Sequence, residues 1–374
     1  MSIKFLIACM YSTIKSWLKK TYLIRQADIC FDIAYWASAQ NLPILEIHKP
    51  VLPEVKPHIY GDKKAKQEFQ LHFDALSRPQ ILVPIEWATV CDSIGFVKLP
   101  DNKVCFQGNW HLPYLKKHID NRQIFQKKRV LRGNFYSLLC LWGNEFYHWF
   151  HDVLPRLEFA LPYLPPDTKF LLQEKPKAYQ LDSLCAYGIT HDRLELQPNK
   201  INTKVETLYF ASPLGHTGLG SGSALKAVDQ RMKRFFKIEV SNNFQRIYIS
   251  RSQARTRRVV NERCLEPILR HHDFSICILE DLSWKDQIKL LSNSSAIIGP
   301  HGAGFTNMIY APKGISVVEI TTNLPIHYLI MARQLGHKFS RFKAILVSEK
   351  TLHPTDMHVD IKAFSKLLNS VVKN

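Results

Sequence analysis

The sequence predicts an α/β protein whose C-terminal half holds a parallel sheet covered by helices. Two observations carry this. From residue 245 onward, short apolar runs alternate with amphipathic stretches in the order strand, helix, strand, helix, strand, helix, strand. The 374 residues are also 46% hydrophobic and 22% charged, an ordinary globular balance that excludes disorder or a collagen-like repeat as the main description. A chain of this length has room for a large core without disulfide or metal staples.

The elements follow in order. Residues 1–135 are broken by Pro43, Pro50, Pro53, Pro57, Pro79 and Pro84, which fits short strands and loops better than long helices. Residues 137–142, Ser-Leu-Leu-Cys-Leu-Trp, read as a buried strand, and Gly143-Asn144 opens a helix running to about 161. A basic helix precedes Ser241-Asn242-Asn243, where a domain boundary is expected. Strands follow at 246–250, 274–279, 296–299 and 315–320. Helices are expected at 261–272, bent at Pro267, at 283–293, where Ser283 and Asp286 form an S-x-x-D start, and at 305–311. A last amphipathic helix covers about 358–372.

The net charge is +18 and the pI about 9.5, so the surface attracts polyanions such as nucleic acid, an anionic membrane or phosphorylated substrates. A solvated basic surface accounts for the same charge. Eight Cys are scattered with no CxxC pair, which reads as buried free thiols in a reducing compartment. The apolar segment 5–14 is too short to span a bilayer. With Lys4, Lys15, Lys19 and Lys20 around it, it fits an interfacial helix or one packed on its own domain.

Three stretches carry chemistry. Gly299-Pro-His-Gly-Ala-Gly304 lies between a strand and a short helix. Glycines there let a ligand approach the backbone, and free N–H groups at a helix start bind phosphate. A tight turn without a ligand is the alternative. His301 is placed to donate to the same anion, and Glu319, at the end of a later strand, is placed to accept ribose hydroxyls. In the second stretch, 143–156, a 100° helical wheel puts Asn144, Glu145, His148, His151, Asp152 and Arg156 on one face. Phe146, Trp149, Phe150, Val153 and Leu154 share the other. A proton-transfer or acceptor face, a structural His/Asp network and a metal site on His148, His151 and Asp152 all stay open. In the third, Arg251 directly follows a strand and is placed to grip a diphosphate, while Arg255, Arg257 and Arg258 suit phosphate binding or a solvated loop equally.

Taken together, three motifs resemble glycosyltransferase family 61: Tyr147-His-Trp-Phe-His-Asp-Val-Leu-Pro-Arg156, Ile247-Tyr-Ile-Ser-Arg251, and Gly299-Pro-His-Gly-Ala-Gly-Phe-Thr-Asn307 followed by Val317-Val318-Glu319. They span 143–320; residues 1–130 show no match. The resemblance implies a GT-B fold, two Rossmann-like domains facing a cleft. The expected division is 1–240 on the acceptor side, 241–350 as the nucleotide-sugar domain, and a C-terminal helix, 351–374, crossing back to the first domain. It also implies inverting transfer of a hexosyl or pentosyl group from a nucleotide sugar to a glycan or lipid-linked hydroxyl, with no metal and no other cofactor. The absence of an Asp-x-Asp motif agrees with this.

By the same resemblance, Arg251, His301, Gly302, Ala303 and Gly304 hold the diphosphate. Asn307 supports the loop or touches the donor, Glu319 takes the ribose, and Glu280 borders the base pocket. Asp152 is the favoured base, with His148 orienting it or contacting the donor; Glu145, His151 and Arg156 line the acceptor cleft, and His148, His151 and Glu145 stay open as alternative bases. No signal anchor is read in the chain, so a bacterial-type enzyme of surface polysaccharide synthesis is expected, cytoplasmic and peripheral at the inner membrane. Rival readings are a non-catalytic polyanion- or nucleic-acid-binding protein, an NAD-dependent oxidoreductase and an inactive glycosyltransferase-like scaffold. No specific nucleic-acid motif is present, and no G-x-G-x-x-G follows a strand.

Overall fold

The computed structural model describes residues 29–49, 79–107, 127–215, 220–241, 243–322, 327–347 and 356–372. The segment 5–14 and its flanking lysines lie outside the described residues. Two large sheets organise the rest. The first has ten strands: β1 (Ile29–Cys30), β2 (Leu45–His48), β3 (Gln80–Glu86), β4 (Thr89–Cys91), β5 (Phe96–Lys98), β6 (Val104–Cys105), β7 (Lys127–Ser137), β8 (Lys169–Gln173), β9 (Leu194–Gln197) and β10 (Ile201–Ala211). Its β10, β7, β8 and β9 run parallel. Antiparallel pairs of β10 with β3 and β4 extend it into the short strands expected for the Pro-rich N-terminal part.

The second sheet has five strands, all parallel: β11 (Gln245–Ile249), β12 (Phe274–Cys277), β13 (Ser294–Pro300), β14 (Ser316–Thr321) and β15 (Lys338–Lys343). Their spatial order is β12-β11-β13-β14-β15. The first strand is therefore internal, and the winding reverses between β11 and β13. At such a switch point the loops leaving two adjacent strands diverge and open a crevice at their carboxyl ends. Here those loops begin at Ser250 and His301. A small antiparallel pair, β16 (Ile345–Leu346) with β17 (Met357–His358), follows.

The alternation expected after residue 245 is present, with helices at Glu262–His271 and Trp284–Ser292. Ser283 caps the second: its hydroxyl accepts the Asp286 N–H at 3.2 Å and donates to the Asp286 carboxylate at 2.6 Å. The helix after the Gly-rich turn starts earlier than expected and is a 3₁₀ helix, Ala303–Tyr310.

Two expectations are corrected. The strand placed at 137–142 is instead β7, ending at Ser137, and 138–142 leave the sheet. Arg156 Nη2 donates to the carbonyls of Ser137 and Leu139 at 2.8 and 3.3 Å, so a guanidinium replaces ladder partners there. The helix from 143 is broken into an α turn at Phe146–His148, a π turn at Trp149–Val153 and an α segment at Leu154–Ala160. Pro155 has no N–H to direct at the His151 carbonyl, and the wider turn absorbs that loss. The C-terminal helix is Ile361–Val372, and of the two large sheets its buried side chains pack on the second. Its Phe364 and Leu368 are buried with Tyr248, Leu265, Leu269 and Ile298 on the second, whose apolar face they complete.

The largest core joins both sheets. Trp149, Phe150, Val153 and Leu154, all fully buried as the helical wheel expects, meet Leu225 and Val228 of the helix Gly222–Phe236. They also meet Ile288, Phe305 and Met331 from the second sheet's helices. The first motif's helix is thereby packed onto the elements that carry the Gly-rich turn. Among the described thiols, Cys30, Cys91 and Cys105 are buried but Cys185 and Cys264 are exposed, which corrects the uniform burial expected.

Arg156→Met keeps the length of the side chain but strips two buried carbonyls of their donor. The expected cost is on the order of 2–4 kcal/mol, read as a lower urea midpoint. An unchanged midpoint would show that the guanidinium does not hold the exit from β7.

Candidate active site

The crevice between β11 and β13 is built around Arg251. Gly302 has extended backbone, and a Cβ there would lie 2.1 Å from Arg251 Nη1. Glycine therefore lets the guanidinium lie directly against the turn. A Cβ at Gly299 would meet the Ile249 carbonyl at 2.7 Å, so that glycine permits the close approach of the two strands. The resulting pocket, about 250 Å³ with its opening to solvent, is lined by Arg251, Glu280, Pro300, Gly302, Gly304 and Phe305 among others.

Arg251 Nη2 donates to the Thr256 carbonyl at 3.1 Å, while its buried Nε has no partner among the described residues. Burial and the charge of Arg257 push its guanidinium below the ordinary arginine range, and Glu280 acts in the opposite direction. Glu280 is exposed at the rim. The amides of Ala303 and Gly304 head the 3₁₀ helix, where no carbonyl of the same helix can receive them. Asn307 faces away from the pocket floor: its amide donates to Gln287 Oε1 at 3.0 Å, and Gln287 donates to the Leu279 carbonyl at 2.8 Å. It supports the loop beside Glu280.

Glu319 departs from the expected ribose acceptor. It is fully buried inside β14, in register with Gly299 and Arg341, two residues before the strand ends. One carboxylate oxygen lies 2.5 Å from His301 Nδ1 and the other accepts from Arg341 Nε at 2.8 Å. Its geometry fits holding the His301 ring, leaving Nε2 as the nitrogen that Glu319 does not engage.

The face expected on the first motif splits at the π turn. His148 Nδ1 lies 2.7 Å from Asp152 Oδ2. His151, nearly inaccessible, turns to the helix Gly222–Phe236, where its Nδ1 accepts the Gly220 N–H at 2.9 Å. A Cβ at Gly220 would fall 2.8 Å from the His151 carbonyl oxygen, so this contact needs glycine. Arg156 points back to the first sheet, and Glu145 is exposed at the helix start. Neither joins His148 and Asp152. Among the described residues no group of three His, Cys, Asp or Glu is arranged to hold a metal.

Burial alone would raise the Asp152 carboxyl. The hydrogen bond with His148, and the nearby His151, override it and hold Asp152 well below the usual carboxylate range. Such a group is a weak base and a strong orienter. Asp152 fixes the His148 ring by Nδ1, which leaves Nε2 as the nitrogen that Asp152 does not engage.

Tyr147 and Tyr328 join the two halves. Tyr147 stacks on His151 at 4.9 Å and meets Tyr328 edge-on at 5.3 Å; Tyr328 in turn meets His301 at 5.1 Å. His327 lies among them, with burial first, then the charges of His151 and His148, pushing it down to about 4. Sequence reasoning missed His327, Tyr328, Arg341 and Gly220. The signals were a His-Tyr pair just past the carboxyl end of β14 and the stretch Gly218-Leu-Gly-Ser-Gly222 before a helix.

A parallel sheet with a cationic crevice at its switch point is the kind of place where α/β enzymes bind their ligands. Residues 146–318 match the family model for Glycosyltransferase 61. The chain is also 32% identical over 127 residues to protein O-linked-mannose beta-1,4-N-acetylglucosaminyltransferase 2 of Xenopus laevis, a match covering 32% of this chain and 22% of that protein. The chain thus spans about a fifth of the length of that curated relative. Both matches support glycosyltransferase family 61, and the matched stretch contains His148, Asp152, Arg251 and His301.

His327 is held neutral by burial, so its contribution is fully present above its ordinary pKa near 6.5 and is lost as pH falls toward about 4. The loss is about 2 kcal/mol by pH 5. The melting temperature is expected to fall between pH 6.5 and 5, and His327→Gln to flatten that fall. Equal slopes for both proteins would contradict it.

Proposed function

We propose that this chain is an inverting, metal-independent glycosyltransferase that moves a sugar from a nucleotide-sugar donor to a hydroxyl of a glycan or lipid-linked acceptor. The observation that carries the reading is the meeting of the His148–Asp152 dyad with the Arg251 crevice through Tyr147 and Tyr328. Two further features support it: the family match and the absence of an Asp-x-Asp motif.

In this mechanism the donor's diphosphate lies against Arg251 and the amides around Gly302 to Gly304. The acceptor hydroxyl faces His148. His148 Nε2 takes the hydroxyl proton as the oxygen attacks the anomeric carbon, while Asp152 holds the Nδ1–H and stabilises the imidazolium formed. The bond from the anomeric carbon to the diphosphate oxygen breaks on the opposite face, inverting the centre. The charge that grows on the leaving diphosphate is met by Arg251 and fixed backbone dipoles. His301, held by Glu319, donates from Nε2 to the same anion.

The reading extends to a GT-B arrangement, with 1–240 on the acceptor side and 241–350 holding the donor. The all-parallel second sheet and the parallel β10-β7-β8-β9 part of the first support this. A role in surface polysaccharide synthesis at the inner leaflet is supported by the +18 charge. No helix among the described residues is long and apolar enough to cross a membrane. The relative's name says that it transfers N-acetylglucosamine in a β linkage, so donors of that sugar head the screen.

The test is a thermal-shift screen against nucleoside diphosphates and nucleotide sugars, with and without EDTA. One nucleotide class should raise the melting temperature, insensitively to EDTA. Arg251→Ala should abolish the shift. His148→Asn should keep it and lower transfer, read as nucleoside diphosphate release, by roughly 10²-fold or more. Transfer near the wild-type rate in His148→Asn would place the base elsewhere.

A further inference from the structure

We propose that Arg257 is a second arginine of the diphosphate site, acting with Arg251 on a single nucleoside diphosphate. The inference rests on the donor site described above and adds a residue to it. The motif holds three arginines after Arg251, and the structure separates them. Arg255 is exposed. Arg258 is structural: its N–H donates to Asp356 Oδ1 at 2.9 Å, and its Nε and Nη2 donate to Asp356 Oδ2 at 3.0 and 2.7 Å. Asp356 is 2% exposed. Arg257 has neither hydrogen bond nor ion pair among the described residues and is half-buried.

Its backbone is costly. Arg257 has φ 61°, in the left-handed region that disfavours a long side chain by about 1–2 kcal/mol. Its neighbours enforce that conformation. The carbonyl of Thr256 is gripped by Arg251 Nη2. On the other side, the Arg258 carbonyl accepts the Met357 N–H at 2.8 Å, and Val259 bridges to Met357. Residue 257 is thus clamped between two anchored residues. Glycine would fit there without strain, yet an arginine occupies it.

Arg257 directly follows the Thr256 carbonyl that Arg251 Nη2 grips at 3.1 Å, and its charge acts on both Arg251 and Tyr328. Two guanidinium charges are held together, and neither forms an ion pair with a carboxylate among the described residues. Their repulsion is a cost to the free protein that a bound anion removes. A diphosphate offers oxygens on two phosphorus atoms, enough for both arginines, whereas a single phosphate offers fewer bridging geometries.

The test uses isothermal titration calorimetry with the uridine, guanosine, adenosine and cytidine diphosphates, and with the matching monophosphates. Arg257→Gly is the informative variant, because it relieves the backbone and removes the charge together. It should melt at or above the wild-type temperature and bind the preferred diphosphate about tenfold more weakly. The monophosphate should weaken less. Arg257→Lys should recover part of the loss, and Arg255→Gln should stay within about twofold of wild type. The inference is overturned if Arg257→Gly binds the diphosphate within about twofold of wild type while Arg251→Ala does not bind. A wild-type protein that binds no nucleoside diphosphate overturns the donor-site reading, and this inference with it.

Discussion

Arg251 lies against the Gly-rich turn, and among the described residues its buried Nε has no partner and no carboxylate is bonded to its guanidinium. Much of the second sheet's loop chemistry exists to hold it there. Gly302 gives it room, Gly299 lets β11 and β13 approach, and the Thr256 carbonyl orients one nitrogen. The Arg258–Asp356 pair then fastens the loop carrying Thr256 to the segment that leads into the C-terminal helix. A buried cation kept short of a partner is unfavourable in a resting protein. It is useful where a ligand brings the missing charge.

The opposite wall solves a different problem, which is to keep a histidine fixed and able to receive a proton. Asp152 is held as the anion, and in the proposed mechanism it orients His148, which takes the proton. His327 is kept neutral by burial and by the charges of His151 and His148, so it adds no charge to the site near neutral pH. His301 is placed by Glu319, and Glu319 by Arg341, a chain that runs across β14 and β15. The two walls meet through aromatic rings, which transmit position without adding charge.

The parallel sheet was legible because buried parallel strands read as short apolar runs, and because Ser283 marks a helix start. The strand order was not, since a one-dimensional pattern does not say that β11 lies between β12 and β13. The His/Asp stretch was visible, but a 3.6-residue wheel places Arg156 and His151 beside His148; after the π turn Arg156 points to the first sheet, and His151, still 3.7 Å from Asp152, turns its ring to Gly220. Pro155 was the visible warning. Glu319 sat at the expected strand, yet its partners are His301, 18 residues before it, and Arg341, 22 residues after it, and only the sheet register brings them together. The dyad itself, four residues apart in sequence, was readable, and the two side chains do meet.

The central claim is that the two walls form one site, with His148 facing the carbon that Arg251's ligand activates. A crystal structure with an intact nucleotide sugar and the His148→Asn protein tests it most directly. The account predicts the diphosphate within hydrogen-bond distance of Arg251 and the amides of residues 302–304, with the anomeric carbon facing position 148. A diphosphate bound elsewhere, or an anomeric carbon turned away from position 148, would contradict it.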